Sequence, residues 1–249
     1  MKISAVILTK NEEKNMSECI KGLSFCEEII VIDDFSSDET LAKAKGLGAT
    51  VFQRALKGDF SEQRNFALTK AQNTWVFFID ADERVSPALT EEIRKEIGKK
   101  ENSFLGYYLK RDDFFLGKKL RFGETANLKV LRLGRKSAGK WVRSVHEVWE
   151  IKGKVKTLKN PILHYAHASL KEFISEINFH SDLHAEANQR EGKEANLGKI
   201  IFWPIGKFLD NWIVKRGFLD GTRGFMMALL MSFHSFLSWS KLWIRQQKR

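Results

Sequence analysis

The sequence has no glycine-rich loop of the kind that wraps nucleotide phosphates. After the first strand-like run, Leu8-Thr9-Lys10-Asn11-Glu12-Glu13 stands where a dinucleotide-binding domain places G-x-G-x-x-G, and no G-x-x-x-x-G-K-[ST] loop occurs. Backbone-amide cradling of a diphosphate is therefore excluded as the main device, which leaves a bound cation as the alternative. Cysteine is nearly absent. Cys19 and Cys26 lack metal-site spacing, so a zinc framework is excluded and both read as buried or half-buried thiols. The N-terminus lacks the charged, apolar and cleavage-site order of a secretory signal, so the chain is expected to stay on the cytosolic side. No long apolar run is present either: Phe225 to Ser240 is uncharged but includes His234 and serines, short of a usual spanning helix. Acidic residues are outnumbered, and the formal charge of +11 implies an anionic partner.

What is present is an acidic triplet, Asp80-Ala81-Asp82, directly after the strand-like run Trp75-Val76-Phe77-Phe78-Ile79. Carboxylates beyond the carboxyl end of a strand sit where an open α/β sheet binds ligands. Two acids this close can share a hard divalent cation, and the cation in turn needs phosphates to neutralise it. The pairing points to an enzyme acting on a nucleotide-activated substrate. Taken alone, the triplet also fits an acidic surface turn.

The first hundred residues alternate strands and helices. Lys2 to Thr9, Glu28 to Ile32, Gly48 to Phe52 and Trp75 to Ile79 are apolar runs suited to buried parallel strands. Asn15 with Glu18 has capping-box spacing, Ser61 can cap a helix through Ala71, and Ser86-Pro87 marks another helix start. Asp33 to Thr40 follows the second strand. Ser36, Ser37 and Asp38 fit helix capping as well as ligand contact, whereas Asp33 holds the strand-end position itself. Arg64, on the first turn of its helix, can reach a phosphate, orient an acidic loop, or make a surface ion pair.

From Gly106 the pattern changes to short strand-like pieces, Tyr107 to Leu109, Phe114 to Leu116 and Lys129 to Leu133, punctuated by glycines. Asp112 and Asp113 read either as sugar-hydroxyl partners or as a solvated hairpin turn. His164 offers a nitrogen to a metal or diphosphate, with His167 three residues on. Hydrogen bonding or packing is the plain alternative. Ser169 with Glu172 opens a helix toward Ala187. After Gly192 the chain is rich in tryptophan, phenylalanine, lysine and arginine, a mixture suited to a membrane interface with anionic lipids. A helical tail packed on the catalytic sheet or a second subunit is the rival, and nucleic-acid binding is disfavoured because the acid cluster would repel the polymer.

Together, Ala5 to Glu12, Ile30 to Thr40, Arg64-Asn65-Phe66-Ala67 and Phe77 to Glu83 resemble, in order and spacing, the family 2 nucleotide-diphospho-sugar glycosyltransferases of the GT-A fold. Arg132-Leu133, Val145-His146-Glu147, Pro161 to Tyr165 and Lys215 to Gly221 extend the likeness to a bacterial subgroup that includes lipopolysaccharide core β-1,4-glucosyltransferases. The resemblance implies an α/β architecture, a mixed central sheet with flanking helices and a C-terminal helical extension. The expected division is a catalytic domain over 1–168, with donor half 1–100 and acceptor half 101–168, and an extension over 169–249.

By the same resemblance Thr9, Asn11 and Asp33 line the base and ribose pocket, with Arg64 beside it. Asp80 faces ribose or metal, and Asp82 is the principal metal ligand. Glu147 is the preferred general base and Asp113 its rival. His146 either orients Glu147, acts through its imidazole, or is structural. The implied reaction is single-displacement, inverting transfer of a sugar, glucose by preference, with heptose, galactose or an amino sugar open. The donor is a UDP-sugar with Mg²⁺ or Mn²⁺, and the acceptor a lipid-linked glycan or lipopolysaccharide core at the anionic inner-membrane surface. No nucleic-acid partner is expected. A noncatalytic glycan-, lipid- or nucleic-acid-binding module is the remaining alternative. Phe35 departs from the small glycine common after the paired aspartates and puts the local loop shape in question.

Overall fold

Strand and helix alternate from the start of the chain because each short apolar run buries both faces and then needs a helix to cover it. A computed structural model of the protein describes residues 2–126, 128–167 and 169–248; of His167 only the backbone is described. In chain order the first elements are β1 (Ile3–Thr9), α1 (Glu13–Lys21), β2 (Glu28–Asp33), α2 (Thr40–Gly46), β3 (Thr50–Gln53), α3 (Phe60–Lys70) and β4 (Trp75–Asp80). The short β5 (Glu83–Arg84) and α4 (Pro87–Ile97) follow, then β6 (Gly106–Phe115), β7 (Lys118–Lys119), β8 (Lys129–Arg135), β9 (Gly139–Val142), β10 (Val148–Ile151), β11 (Val155–Thr157) and β12 (Ile162–His167). Three helices end the chain: α5 (Leu170–Arg190), α6 (Leu197–Leu209) and α7 (Gly221–Gln247). The chain divides into two compact units, Met1–Arg111 with Lys129–His164, and Asp112–Leu128 with Tyr165–Arg249.

In the first unit β1 lies between β2 and β4, parallel to both, and β3 extends the parallel set beyond β2. β8 then runs antiparallel to β4 and to β6, making the sheet mixed. Alternate residues feed opposite layers. Ile3, Ala5, Ile7, Phe77 and Ile79 join Met16, Cys19 and Leu23 of α1 and Leu89 and Ile93 of α4. Val6, Ile30, Ile32, Val76 and Phe78 join Ala67 and Leu68 of α3 and the paired Trp141 and Trp149 of the β9–β10 hairpin. Each fully buried aromatic or branched side chain contributes about 1.5–3 kcal/mol, so this two-sided core fixes the register. Register is what places the functional groups: Thr9 stands opposite Asp33, and Leu8 opposite Asp80.

Several local expectations hold. Ser86 caps α4 with Pro87 in its first turn, and Ser169 caps α5 by accepting from the Glu172 N–H at 3.2 Å. Cys19 is buried and Cys26 half-buried, and burial pushes both thiols far above their usual range. Others need correction. α1 starts two residues before Asn15, whose side-chain amide instead donates to Glu12 at 2.8 Å. Asp59 rather than Ser61 caps α3, because its carboxylate reaches both the Glu62 N–H and the Ser61 hydroxyl. Tyr107–Leu109 and Phe114–Phe115 belong to one long strand, β6, so Asp112 and Asp113 lie within a strand and not at a hairpin turn. The turn comes at Leu116 and Gly117, both left-handed at φ 46° and 75°.

The second unit packs α7 against α5 and α6, with Phe115, Leu120, Phe173, Ile177 and Met227 at its core. Two glycines make its turns possible. A Cβ on Gly224 would lie 1.9 Å from the Gly217 carbonyl oxygen, and one on Gly217 would lie 2.6 Å from that of Asn211. Among the described residues no helix is long and apolar enough to cross a membrane.

Candidate active site

Three adjacent strands deliver Thr9, Asp33 and Asp80 at their carboxyl ends, the position at which open α/β sheets bind ligands. Asp33 is fully buried; its carboxylate accepts from the Ser36 N–H at 2.9 Å, the Ser36 hydroxyl at 2.5 Å and the Gln53 amide at 3.3 Å. Asn11, left-handed at φ 55°, accepts from the Ser37 N–H at 2.8 Å and gives its own N–H to the Ser36 hydroxyl. The loops after β1 and β2 are thus tied together by side chains. The buried Thr9 hydroxyl finds no hydrogen-bond partner among the described residues. Phe35 is left-handed at φ 51° with its ring 59% exposed, which explains why a glycine suits that place.

Arg64 organises the next layer. Its Nε donates to Glu147 Oε1 at 2.8 Å and its Nη2 to Asp80 Oδ1 at 3.1 Å, so one guanidinium joins two carboxylates that stand 67 positions apart in the chain. Only 3% of its surface is exposed, and its Cζ lies 4.8 Å from the Trp141 ring centre and 5.5 Å from that of Phe78. Trp141 stacks on Trp149 at 5.4 Å, and this aromatic face supports a cation better than an aliphatic wall would. Asn65 fixes the same hairpin, donating to the Trp141 carbonyl at 2.8 Å and accepting from its N–H at 2.9 Å. With the Phe60 N–H on the Ser144 carbonyl at 3.0 Å, α3 holds the loop that carries Glu147 at three points. His146, beside Glu147, is exposed and left-handed at φ 54°.

Arg132 of β8 also binds the Asp80 carboxylate and lies 4.0 Å from Glu83. Burial opposes the Asp80 charge, but Arg132 and Arg64 outweigh it and hold the carboxyl well below the usual carboxylate range. Glu83, completely buried, accepts the Asp80 N–H at 2.9 Å; burial and then the Asp80 charge push its carboxyl up. The antiparallel pairing of β5 with β12 sets Glu83 opposite His164, which brings His164 Nε2 to 3.2 Å from Asp82 Oδ2. Burial works against the Asp82 charge, and His164 overcomes it, so this carboxyl is also lowered.

Thr9, Asn11, Asp33, Arg64, Asp80, Asp82, His146, Glu147 and His164 all lie in the first unit. Asp113 lies in the second, buried, with its carbonyl accepting the Leu120 N–H at 2.8 Å. Arg132, Glu83 and Trp141 carry no assigned role in the sequence reading. Arg132 and Glu83 fall within the runs that carry the family resemblance, and a cation inside the otherwise apolar Val130-Leu131-Arg132-Leu133 is a further signal. Among the described residues no group of three or more His, Cys, Asp or Glu is placed to hold a metal alone. The donor set still fits Mg²⁺ or Mn²⁺, which take one or two carboxylates and fill their remaining positions with phosphate and water oxygens. Asp82 and His164 supply two adjacent donors, His164 Nε2 lying 3.2 Å from Asp82 Oδ2.

A mixed α/β sheet with flanking helices, a long helical extension and acids at its strand ends defines a GT-A-like transferase fold. The family model for glycosyl transferase family 2 matches residues 4–145, and the chain belongs to that family. An uncharacterized glycosyltransferase of Rickettsia typhi is 30% identical over 97% of this chain and 86% of its own. The lipopolysaccharide core biosynthesis glycosyltransferase LpsC of Rhizobium meliloti is 29% identical over 98% of this chain and 92% of its own. Among solved structures, residues 1–349 of S. aureus TarS in complex with UDP align over 100% of this chain and 92% of that one, at 15% identity and a TM-score of 0.50. The activity of the family is sugar transfer from a nucleotide-sugar donor.

Proposed function

We propose that this protein transfers a sugar, glucose by preference, with inversion from a UDP-sugar to a lipid-linked or lipopolysaccharide core acceptor on the cytoplasmic face of the inner membrane. The observation that carries the reading is the strand-end constellation: Asp80 held between two arginines, Asp82 paired with His164, and Glu147 joined to Asp80 through Arg64. The likeness to LpsC over nearly the whole chain supports the acceptor class.

Asp33, Thr9 and Asn11 bind the nucleoside, Thr9 through a hydroxyl that has no partner among the described residues. Asp82 with His164, and Asp80 beside them, would hold a divalent cation, which would supply Lewis-acid stabilisation of the charge on the departing diphosphate. Glu147 keeps Oε1 on Arg64 and has Oε2 to accept the acceptor hydroxyl proton as the oxygen attacks the anomeric carbon. Arg64 is the positioning residue, fixing the carboxylate through a guanidinium that is itself immobilised on Trp141. Inversion needs only this one base and a stabilised leaving group. The first unit carries the donor residues together with Glu147, and the second carries the basic aromatic surface suited to a membrane.

A donor panel with membrane extract, scored by mass spectrometry with and without divalent metal, tests the reading. Metal-dependent transfer from a UDP-hexose to a lipid-bearing product is expected. No turnover of any nucleotide sugar, together with tight salt-sensitive RNA or DNA binding, would reject it. For Glu147→Gln, single-turnover transfer is expected to fall about 10²–10⁴-fold; an unchanged rate removes Glu147 as the base.

A further inference from the structure

The second unit contains a cleft of about 440 Å³ that the transfer chemistry does not use, lined chiefly by Lys118, Lys119, Arg121, Leu219, Asp220 and Arg223. Four of these are cations, and the single acid is already engaged. Asp220 Oδ2 accepts the Arg121 and Phe122 N–H groups, both at 2.9 Å, and so ties the strand-end loop to the start of α7. Lys119 pairs with Asp112 at 2.6 Å, whereas Lys118 and Arg121 have no ion-pair partner among the described residues. Arg223 gives Nη2 to the Leu116 carbonyl at 3.4 Å, while its buried Nε has no acceptor among the described residues. This excess of cationic donors suits a phosphate monoester, which offers two charges and several acceptor oxygens.

The cleft's surroundings identify where such a phosphate comes from. The Gly123 N–H on the Lys215 carbonyl at 3.0 Å and the Glu124 N–H on Asn211 Oδ1 at 2.8 Å hold the cationic loop against the segment that follows α6. That segment exposes apolar side chains among its cations: Ile213 is 56% exposed, Val214 72%, Phe218 46% and Leu219 53%. The outward face of α6 continues it, with Leu197, Ile201, Ile205 and Leu209 recurring every four residues, all exposed. Exposed apolar area of this extent on one helix face, rimmed by lysine and arginine, is the signature of an element lying in a bilayer interface. A second copy is a poor occupant, because residues 197–249 hold nine Lys and Arg against two Asp and two such faces repel.

We propose that this cleft binds the phosphate of an anionic lipid headgroup while the adjoining apolar side chains enter the bilayer interface, so that the second unit docks the enzyme on a phosphate-bearing membrane. The docking rests on the proposed lipid-borne acceptor only for its biological purpose. Flotation of the full chain with vesicles tests it in the absence of any sugar donor, so its outcome is separate from that of the transfer assay. The vesicles are phosphatidylcholine alone or phosphatidylcholine with phosphatidic acid. Binding to the phosphatidic acid vesicles is expected to fall roughly five-fold for each of Lys118→Ala and Arg121→Ala. Binding to phosphatidylcholine alone should stay unchanged in both, and Leu219→Ser should weaken binding to both vesicle types.

Glycerol 3-phosphate is expected to displace the wild type from phosphatidic acid vesicles at an ionic strength where chloride does not. Far-ultraviolet circular dichroism and the melting temperature of each variant verify folding, and both cationic positions are exposed enough to change without unfolding. Equal losses for Lys193→Ala, away from the cleft, or displacement by chloride as effective as by the phosphate ester, would overturn the site in favour of diffuse charge. No affinity for phosphatidic acid vesicles above that for phosphatidylcholine would overturn the docking itself.

Discussion

The two units of this chain treat charge and apolar surface in opposite ways. In the first, ionised groups are pulled under the surface and paired: Arg64 and Arg132 are nearly buried against Asp80, and Glu83 is wholly so. In the second, large apolar groups such as Phe202, at 66% exposure, lie outside and cations rim them. A buried ion costs several kcal/mol to desolvate and is retained where geometry must be held. An exposed apolar face contributes nothing until something covers it. The difference separates an interior of paired charges from an apolar surface left exposed, and under the two proposals each can be damaged without the other.

The strongest separation is expected from Asp82→Asn. Transfer should fall about a thousandfold, the several kcal/mol that a bound cation contributes at a leaving phosphate, with vesicle flotation unaffected. Equal loss of both would show that the units are not functionally separable. Arg64→Met should cost about 3 kcal/mol in urea unfolding, because it strands the Glu147 carboxylate and leaves Asp80 with Arg132 alone. A loss below about 1 kcal/mol would place this pair with ordinary surface bridges.

Acid should sharpen the same contrast by loosening the first unit. Burial opposes ionisation of Asp38, Asp80, Asp82, Glu92 and Glu96, yet hydrogen bonds and cations outweigh it and leave each carboxyl below its ordinary value. Their stabilisation is therefore complete above an unfolded-state pKa of about 4 and drains away as pH falls through the folded values. Glu83, pushed up by burial and then by Asp80, has the opposite sign: its contribution favours the fold below that range and is lost as pH rises. Five groups against one predict a net loss in acid. Hydrogen exchange resolved by segment should show protection of β1, β2 and β4 declining below about pH 4; protection that rises there would contradict the assignment. The smallest effect is expected from Phe35→Gly, which relieves a left-handed phenylalanine and should raise stability by about 1 kcal/mol. A lower melting temperature would mean that the ring packs better than its exposure suggests.

Much of the first unit was legible in the sequence, since β1, β2 and β4 are short apolar runs whose ends carry Thr9, Asp33 and Asp80. Caps with a single candidate, Ser86 and Ser169, were also readable. Where two polar residues compete, spacing does not choose. Asp59 displaced Ser61 because its longer-reaching carboxylate satisfies both an amide and a hydroxyl. The Lys110-Arg111-Asp112-Asp113 run hides a continuous β6, since a charged stretch within a strand looks like a turn until its neighbours are known. Arg132 matters by meeting Asp80 from a neighbouring strand, and Glu83 by turning back onto the Asp80 N–H three residues before it, and neither contact is visible in a periodic pattern. Asp82 with His164 likewise depends on a two-residue strand that periodicity cannot detect.

Asn65 grips residue 141 through main-chain atoms alone. Such a clasp does not read side chains, so a change of side chain at residues 143–146 leaves this tie between α3 and the β9–β10 hairpin in place, while Glu147 itself is held to α3 by Arg64.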